Sequence, residues 1–189
     1  MESVARVGTR PVSLPLLADE LVEFHAARLL LLLEICGSAG KIDGLTKMAK
    51  LDFFARYPDF FAVAKAAAAP SDAGEEESPR SNAGIVESAM VRHHYGPWDK
   101  RYYHVLAYLE SRGLIDVSPK GKSYLLALTP LGRETAQAVA TAPSFAGLVE
   151  RMKDVKNVFG RKSGTYLKNL VYQLFDEEVG QLPLGEEIR

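Results

Sequence analysis

The stretch Asp99-Lys100-Arg101-Tyr102-Tyr103-His104-Val105-Leu106-Ala107-Tyr108-Leu109-Glu110-Ser111-Arg112-Gly113-Leu114-Ile115-Asp116-Val117 continues into Ser118-Pro119-Lys120-Gly121-Lys122-Ser123-Tyr124-Leu125-Leu126-Ala127-Leu128-Thr129-Pro130. Asp99 is placed to cap a helix over 100–112. Within it Tyr102, Val105, Leu106 and Leu109 fall at i, i+3, i+4 and i+7, which makes one apolar face. Gly113 sits where a left-handed C-cap belongs. Leu114 to Val117 reads as a strand, Pro119 to Lys122 as a turn, and Tyr124 to Leu128 as the return strand. Thr129 followed by Pro130 is an N-cap with proline at the first helical position, opening a helix to Ala140.

Helix, short link, hairpin, helix is the winged-helix order. The segments Leu109-Glu110-Ser111-Arg112-Gly113-Leu114-Ile115 and Leu128-Thr129-Pro130-Leu131-Gly132-Arg133-Glu134 resemble the wing region of many bacterial winged-helix proteins. That likeness speaks to fold and says little about function, because the fold hosts several.

Upstream, Leu21, Phe24, Ala27, Leu31 and Ile35 recur at helical spacing from Ala18 to Cys36, with Gly37 and Gly40 beyond the end. Lys41-Ile42-Asp43 is long enough for one sheet bridge. A second helix is expected after Asp43, taken as its N-cap, and runs to Tyr57, where Pro58 stops it. Phe60 to Ala69 reads as a further short helix. Residues 70–83, with Glu75-Glu76-Glu77, Pro70, Pro79 and several serines, have little to bury and read as a mobile acidic loop. Downstream, helices are expected over 146–155 and 164–178, the latter capped by Ser163. The expected fold class is mainly α with a small β-hairpin: an extended arm at 1–16, a winged helix-turn-helix core at 17–141 with a long insertion, and a C-terminal helical extension at 142–189.

Composition bounds the function. The chain has 189 residues, 47% of them apolar and 25% charged, enough for a packed core and against global disorder. The formal net charge of −1 leaves no global basic excess, so any nucleic-acid site must be local. The one cysteine, Cys36, excludes an intrachain disulfide framework and suits a reducing, cytoplasmic setting. Met1 to Leu17 lacks the apolar stretch of a signal peptide. The run Leu29 to Leu33, bracketed by Arg28 and Glu34, is too short for a membrane helix. No internal repeat is seen.

Catalytic patterns are missing. His25, His93, His94 and His104 share no metal-ligand spacing with Cys36 or a carboxylate pair. Gly37, Gly40 and Gly44 fit neither the P-loop nor the dinucleotide fingerprint, and no serine occupies a nucleophile elbow. No enzyme, metal or cofactor is therefore expected.

Binding is the remaining class. Lys100, Arg101, His104 and Arg112, with Tyr108 among them, are expected on the outward face of the 100–112 helix, and Lys120 and Lys122 at the hairpin tip. In a winged helix these positions meet the major groove and the neighbouring backbone. Exposed helix faces and hairpin tips are also commonly charged for solubility alone. About 40 residues separate Tyr57 from Asp99, where a helix-turn-helix has a 3–4-residue turn. This insertion, including Arg92-His93-His94-Tyr95-Gly96-Pro97-Trp98, is expected to crowd the DNA-facing surface and to favour protein contact. Trp98 reads either as an interface anchor or as a ring packed under the insertion. In the tail, Arg151, Lys153, Lys156, Arg161, Lys162 and Lys168 precede an acidic end with Asp176, Glu177, Glu178, Glu186 and Glu187. This order opposes the dipole of the last helix. Arg161, Lys162 and Lys168 are candidate partner contacts, with a solvated face as the alternative.

Three phrases carry a further likeness: Lys41-Ile42-Asp43-Gly44-Leu45-Thr46-Lys47-Met48-Ala49-Lys50-Leu51-Asp52-Phe53-Phe54-Ala55-Arg56-Tyr57-Pro58, Tyr95-Gly96-Pro97-Trp98-Asp99, and Ser163-Gly164-Thr165-Tyr166-Leu167-Lys168-Asn169-Leu170. They resemble the small middle component of bacterial ABC-three-component systems, the group that includes Lamassu anti-phage defence. The resemblance implies a non-catalytic accessory subunit that bridges an SMC-like, Rad50-like ATPase and an effector, often a nuclease, with DNA possible within the complex and no membrane. The alternative expectation is a winged-helix transcriptional regulator that binds operator DNA as a dimer.

Overall fold

The computed structural model describes residues 20–68 and 89–188. The expected arm at 1–16 and the acidic loop at 70–83 lie outside the described residues. The chain is mainly helical with a small antiparallel sheet. Seven α-helices are described: α1 (Val22–Cys36), α2 (Leu45–Arg56), α3 (Pro58–Ala68), α4 (Tyr102–Ser111), α5 (Pro130–Ala140), α6 (Ala146–Phe159) and α7 (Gly164–Leu174). The strands are β1 (Lys41–Asp43), β2 (Val91–His93), β3 (Gly96–Trp98), β4 (Ile115–Lys120) and β5 (Ser123–Leu128).

Two helices form the centre. α1 is apolar around most of its circumference, and Leu29 to Leu33 are all buried. A helix without a polar face must be covered on all sides. α4 and α5 flank it, and α6 crosses it. α2 is buried continuously from Met48 to Arg56, beneath α6 and α7. Its aromatic residues knit the layers together: Phe54 stacks on Phe159 of α6 at 4.8 Å, and Phe60 of α3 meets Phe175 edge-on at 4.8 Å. The expected 142–189 extension consists of α6, α7 and a wide turn, and their apolar faces close this same core through Met152, Val155, Phe159, Leu167 and Val171. Cys36 is a buried thiol that donates to the Met152 carbonyl at 3.3 Å.

The three-stranded sheet has the order β1-β5-β4. Leu126 of β5 pairs with Ile42 on one side and Val117 on the other. Ile42, Ile115 and Leu126 turn inward and are fully buried. Lys41–Asp43 is thus a complete strand pairing at all three positions rather than a single bridge. The expected turn at 119–122 is tighter than its sequence suggests. β4 continues through Pro119 and Lys120, and only Gly121 and Lys122 turn. Pro119 is tolerated because β4 lies at the sheet edge.

Several local expectations hold. Gly113 has φ +67°, the left-handed conformation that ends α4. Thr129 Oγ1 accepts from Gly132 N at 2.9 Å, capping α5, and Ser163 caps α7 through Tyr166 N at 3.1 Å. Two do not. Asp43 is not the cap of α2: it lies in β1 with its carboxylate on Lys120, and Gly44 takes the cap position without a side-chain bond. The last helix stops at Leu174, not 178; Asp176–Gly180 is a π turn that sends both Phe175 and Val179 into the core. The acids at Asp176 to Glu178 therefore follow α7 directly and stand at the negative end of its dipole, so the conflict remains.

Candidate macromolecular interface

Charges inside α1 and α2 fix where α4 begins. Arg28 on α1, and Asp52 and Arg56 on α2, occupy positions that the surrounding apolar residues bury. Buried charges persist only when paired and hydrogen-bonded. Asp99, just before α4, supplies much of the pairing. Its Oδ2 accepts from Arg56 Nη1 at 3.0 Å and Arg28 Nη2 at 3.3 Å. Its Oδ1 accepts from Arg101 N at 2.9 Å and Arg101 Nε at 3.1 Å. Asp52 receives the Tyr102 hydroxyl at 2.7 Å and lies 3.1 Å from Arg28 Nε. The His25 ring meets Arg28 Nη1 at 3.0 Å and Arg101 Nη1 at 2.8 Å. Burial by itself raises the Asp99 pKa. The Arg101 amide and the guanidinium groups of Arg56, Arg28 and Arg101 outweigh it and hold the carboxyl at about 2. Burial, reinforced by Asp52, pushes the Tyr102 hydroxyl well above its ordinary value.

A second anchor holds the β2–β3 hairpin. Lys50 of α2 is buried, and its Nζ donates to the Pro97 carbonyl at 3.0 Å. Burial lowers its pKa to about 7. The Met90 amide donates to the Tyr57 hydroxyl at 2.7 Å, and the Arg92 amide donates to the Glu186 carbonyl at 2.8 Å. The Tyr172 hydroxyl of α7 approaches the carbonyls of His93 and His94 at 3.5 and 3.4 Å. Burial, then the neighbouring charges of His94 and Lys50, lower the His93 pKa.

The sequence-predicted contact residues are divided among several places. Lys100, His104 and Arg112 are exposed on α4 or at its ends. The Arg112 guanidinium lies 5.1 Å from the Tyr108 ring centre. Arg101, expected on the same outward face, turns inward to Asp99 and His25, because the buried carboxylate needs its donors. Lys120 pairs with Asp43 yet stays exposed, as does Lys122 at the hairpin tip. Trp98 is half-buried: it packs edge-on against buried Tyr102 at 5.0 Å and tilts against exposed Tyr103 at 5.6 Å. Arg161 and Lys162 are exposed on the α6–α7 turn, with Lys162 Nζ 4.8 Å from the Tyr166 ring centre. Lys168 is half-buried on α7, its Nζ 5.8 Å from the Tyr95 ring centre.

The expected crowding of α4 is confined, among the described residues, to its beginning. The hairpin packs on α2 and α7 and reaches Tyr102 and Tyr103, while His104, Ala107, Ser111 and Arg112 stay exposed. Sequence reasoning missed the buried ion network. Its signal was present as arginines and an aspartate inside segments otherwise apolar all round, at Arg28, Asp52 and Arg56. It also missed the exposed rings of Tyr95 and Tyr103, which follow no periodic pattern.

Among the described residues no helix is long and apolar enough to cross a membrane, and no group of three or more His, Cys, Asp or Glu residues is arranged to hold a metal ion. No protein-family model, curated protein or solved structure matches the chain.

Proposed function

We propose that this chain is a non-catalytic, winged-helix accessory subunit that bridges an SMC-like, Rad50-like ATPase and an effector nuclease in bacterial anti-phage or anti-plasmid defence. The carrying observation is the presentation of the α4 region. Its start is locked to α1 and α2 by the Asp99 network, and exposed aromatic rings flank it. A rigidly held surface with exposed aromatic side chains is a usual form of protein interface. With α3, β2 and β3 set aside as an insertion between α2 and α4, the order α1-β1-α2-α4-β4-β5-α5 and the sheet order β1-β5-β4 support the winged-helix reading. The resemblance of the three sequence phrases supplies the identity of the partners.

Co-expression with a coiled-coil ATPase and nuclease from the same locus tests this. The chain is expected to co-purify with the ATPase. Charge reversal at Arg161, Lys162 and Lys168 is expected to weaken assembly while the far-UV circular dichroism stays unchanged. Full assembly of that variant would remove the tail patch from the interface.

A second reading, a dimeric winged-helix regulator of operator DNA, is favoured by the open outward face of α4 at Lys100, His104 and Arg112, with Lys122 on the hairpin tip. It requires the isolated chain to bind one duplex tightly, with affinity falling steeply with salt. Such binding, lost in Arg112→Ala plus Lys122→Ala, would displace the bridging role.

A further inference from the structure

We infer that the hairpin tip and the start of α4 form a binding platform for single-stranded nucleic acid. Rings follow one another without a gap along this edge. His94 and His93 lie 4.9 Å apart, His93 stacks on Trp98 at 5.4 Å, and Trp98 meets Tyr103 at 5.6 Å. Tyr95 follows His94 in the turn of the hairpin. Most of it is open to solvent: Tyr95 is 58% exposed and Tyr103 63%.

The chemistry of the line selects the occupant. All its members are rings with polar atoms. The other large exposed hydrophobic residues, Leu21, Val63, Tyr124, Leu131, Tyr166 and Leu184, lie elsewhere. A row of polar rings suits bases, each of which has a π face, and a platform of this kind holds about two or three of them. Cations stand at both ends: Lys168 beside Tyr95 and exposed Lys100 before Tyr103. Neither makes an ion pair among the described residues, so both can meet phosphates. The exposed acids Glu186 and Glu187 lie along the other edge of β2. Asp176 to Glu178 follow α7 near β3 and bound the platform on that side. Paired bases bury their faces in the stack, so a duplex cannot use this row. Both anchors below it, Lys50 on Pro97 and Asp99 with its arginines, hold the rings in place before any ligand arrives. The platform shares its exposed rings with the surface proposed for bridging and is distinct from duplex reading by α4.

Trp98 is the one tryptophan of the chain, so its fluorescence reports from within the platform. Titration of the full chain with a roughly 12-nucleotide oligothymidylate is expected to quench it saturably at low salt. Tyr95→Ala and Tyr103→Ala are each expected to weaken binding about tenfold, the scale of one lost base stack. Lys168→Ala is expected to flatten the salt dependence by about 0.7 in log–log slope, as for one phosphate contact. Both tyrosines are exposed, so these variants keep the fold, which circular dichroism verifies. No quenching, equal affinity for a duplex of the same length, or binding indifferent to both tyrosine variants would each overturn the inference. A polyglutamate peptide that binds with the tyrosine dependence where oligothymidylate does not would make the platform a site for acidic protein.

Discussion

Lys50 is a lysine buried in the core. It is 1% exposed, and no described carboxylate pairs with it; its ammonium has the Pro97 carbonyl. Burial disfavours the charged form and brings the pKa from 10.5 to about 7. Between those values the unfolded chain holds a proton that the native chain has released. Stability contributed at this site therefore rises with pH across that window and is lowest at and below pH 7. The rise is expected to reach a few kcal/mol, at about 1.4 kcal/mol per pH unit. Cys36 acts in the opposite sense at higher pH, since burial pushes its thiol up to about 12 and the native state keeps the proton longer. Urea denaturation of the wild type and Lys50→Met at matched pH separates the two. The difference between them is expected to shrink steadily from pH 7 to pH 10, with Lys50→Met the flatter curve. A constant difference would show that Lys50 is charged in the native state throughout. A lysine in an apolar run is visible in sequence, but whether it finds a carboxylate is not. The same holds for Arg56, whose partner Asp99 lies 43 positions away.

Among the elements, the run from α4 to α5 was the most readable, because each of its boundaries is set within a few residues. Thr129 illustrates this. Its hydroxyl oxygen accepts from Gly132 N and donates to the Gly113 carbonyl at 2.7 Å, so one side chain caps α5 and ties it to the end of α4. Thr129→Ala is expected to cost about 1–2 kcal/mol in urea unfolding. Gly132→Ala is expected to cost more than the cap. Its Cβ would stand 1.8 Å from the Leu114 carbonyl oxygen, so α5 must lift away from the start of β4. A midpoint for Gly132→Ala equal to that of the wild type would show that this contact is not tight. Where local signals compete with pairing, pairing wins: Pro119 reads as a turn residue, yet the β5 ladder carries β4 past it.

At the scale of the molecule, the C-terminal helices are part of the core. Phe54 would lose its stacking partner Phe159, and α1 and α2 would lose the cover of Met152, Val155, Leu167 and Val171. A fragment ending at residue 141 is therefore expected to lose cooperative unfolding and bind a hydrophobic dye, keeping helical circular dichroism without fixed aromatic signals. Cooperative unfolding of that fragment would make residues 142–189 a true appendage. The same packing frames the candidate interface, since α7 and α2 together hold the hairpin that carries His93 to Trp98.

Periodicity and caps in the sequence determined the helices, the β4–β5 hairpin, the central leucine helix and the exposure of Lys100, His104, Arg112 and Lys122. Those features depend on spacing within a turn or two of chain, where steric and hydrogen-bonding preferences are local. Only the tertiary structure decided that Arg101 turns inward, that Lys120 pairs with Asp43, that α6 and α7 complete the core, and that His94, His93, Trp98 and Tyr103 form one row. Each of these depends on a partner from a distant part of the chain, chosen by which buried charge must be matched and which apolar face must be covered.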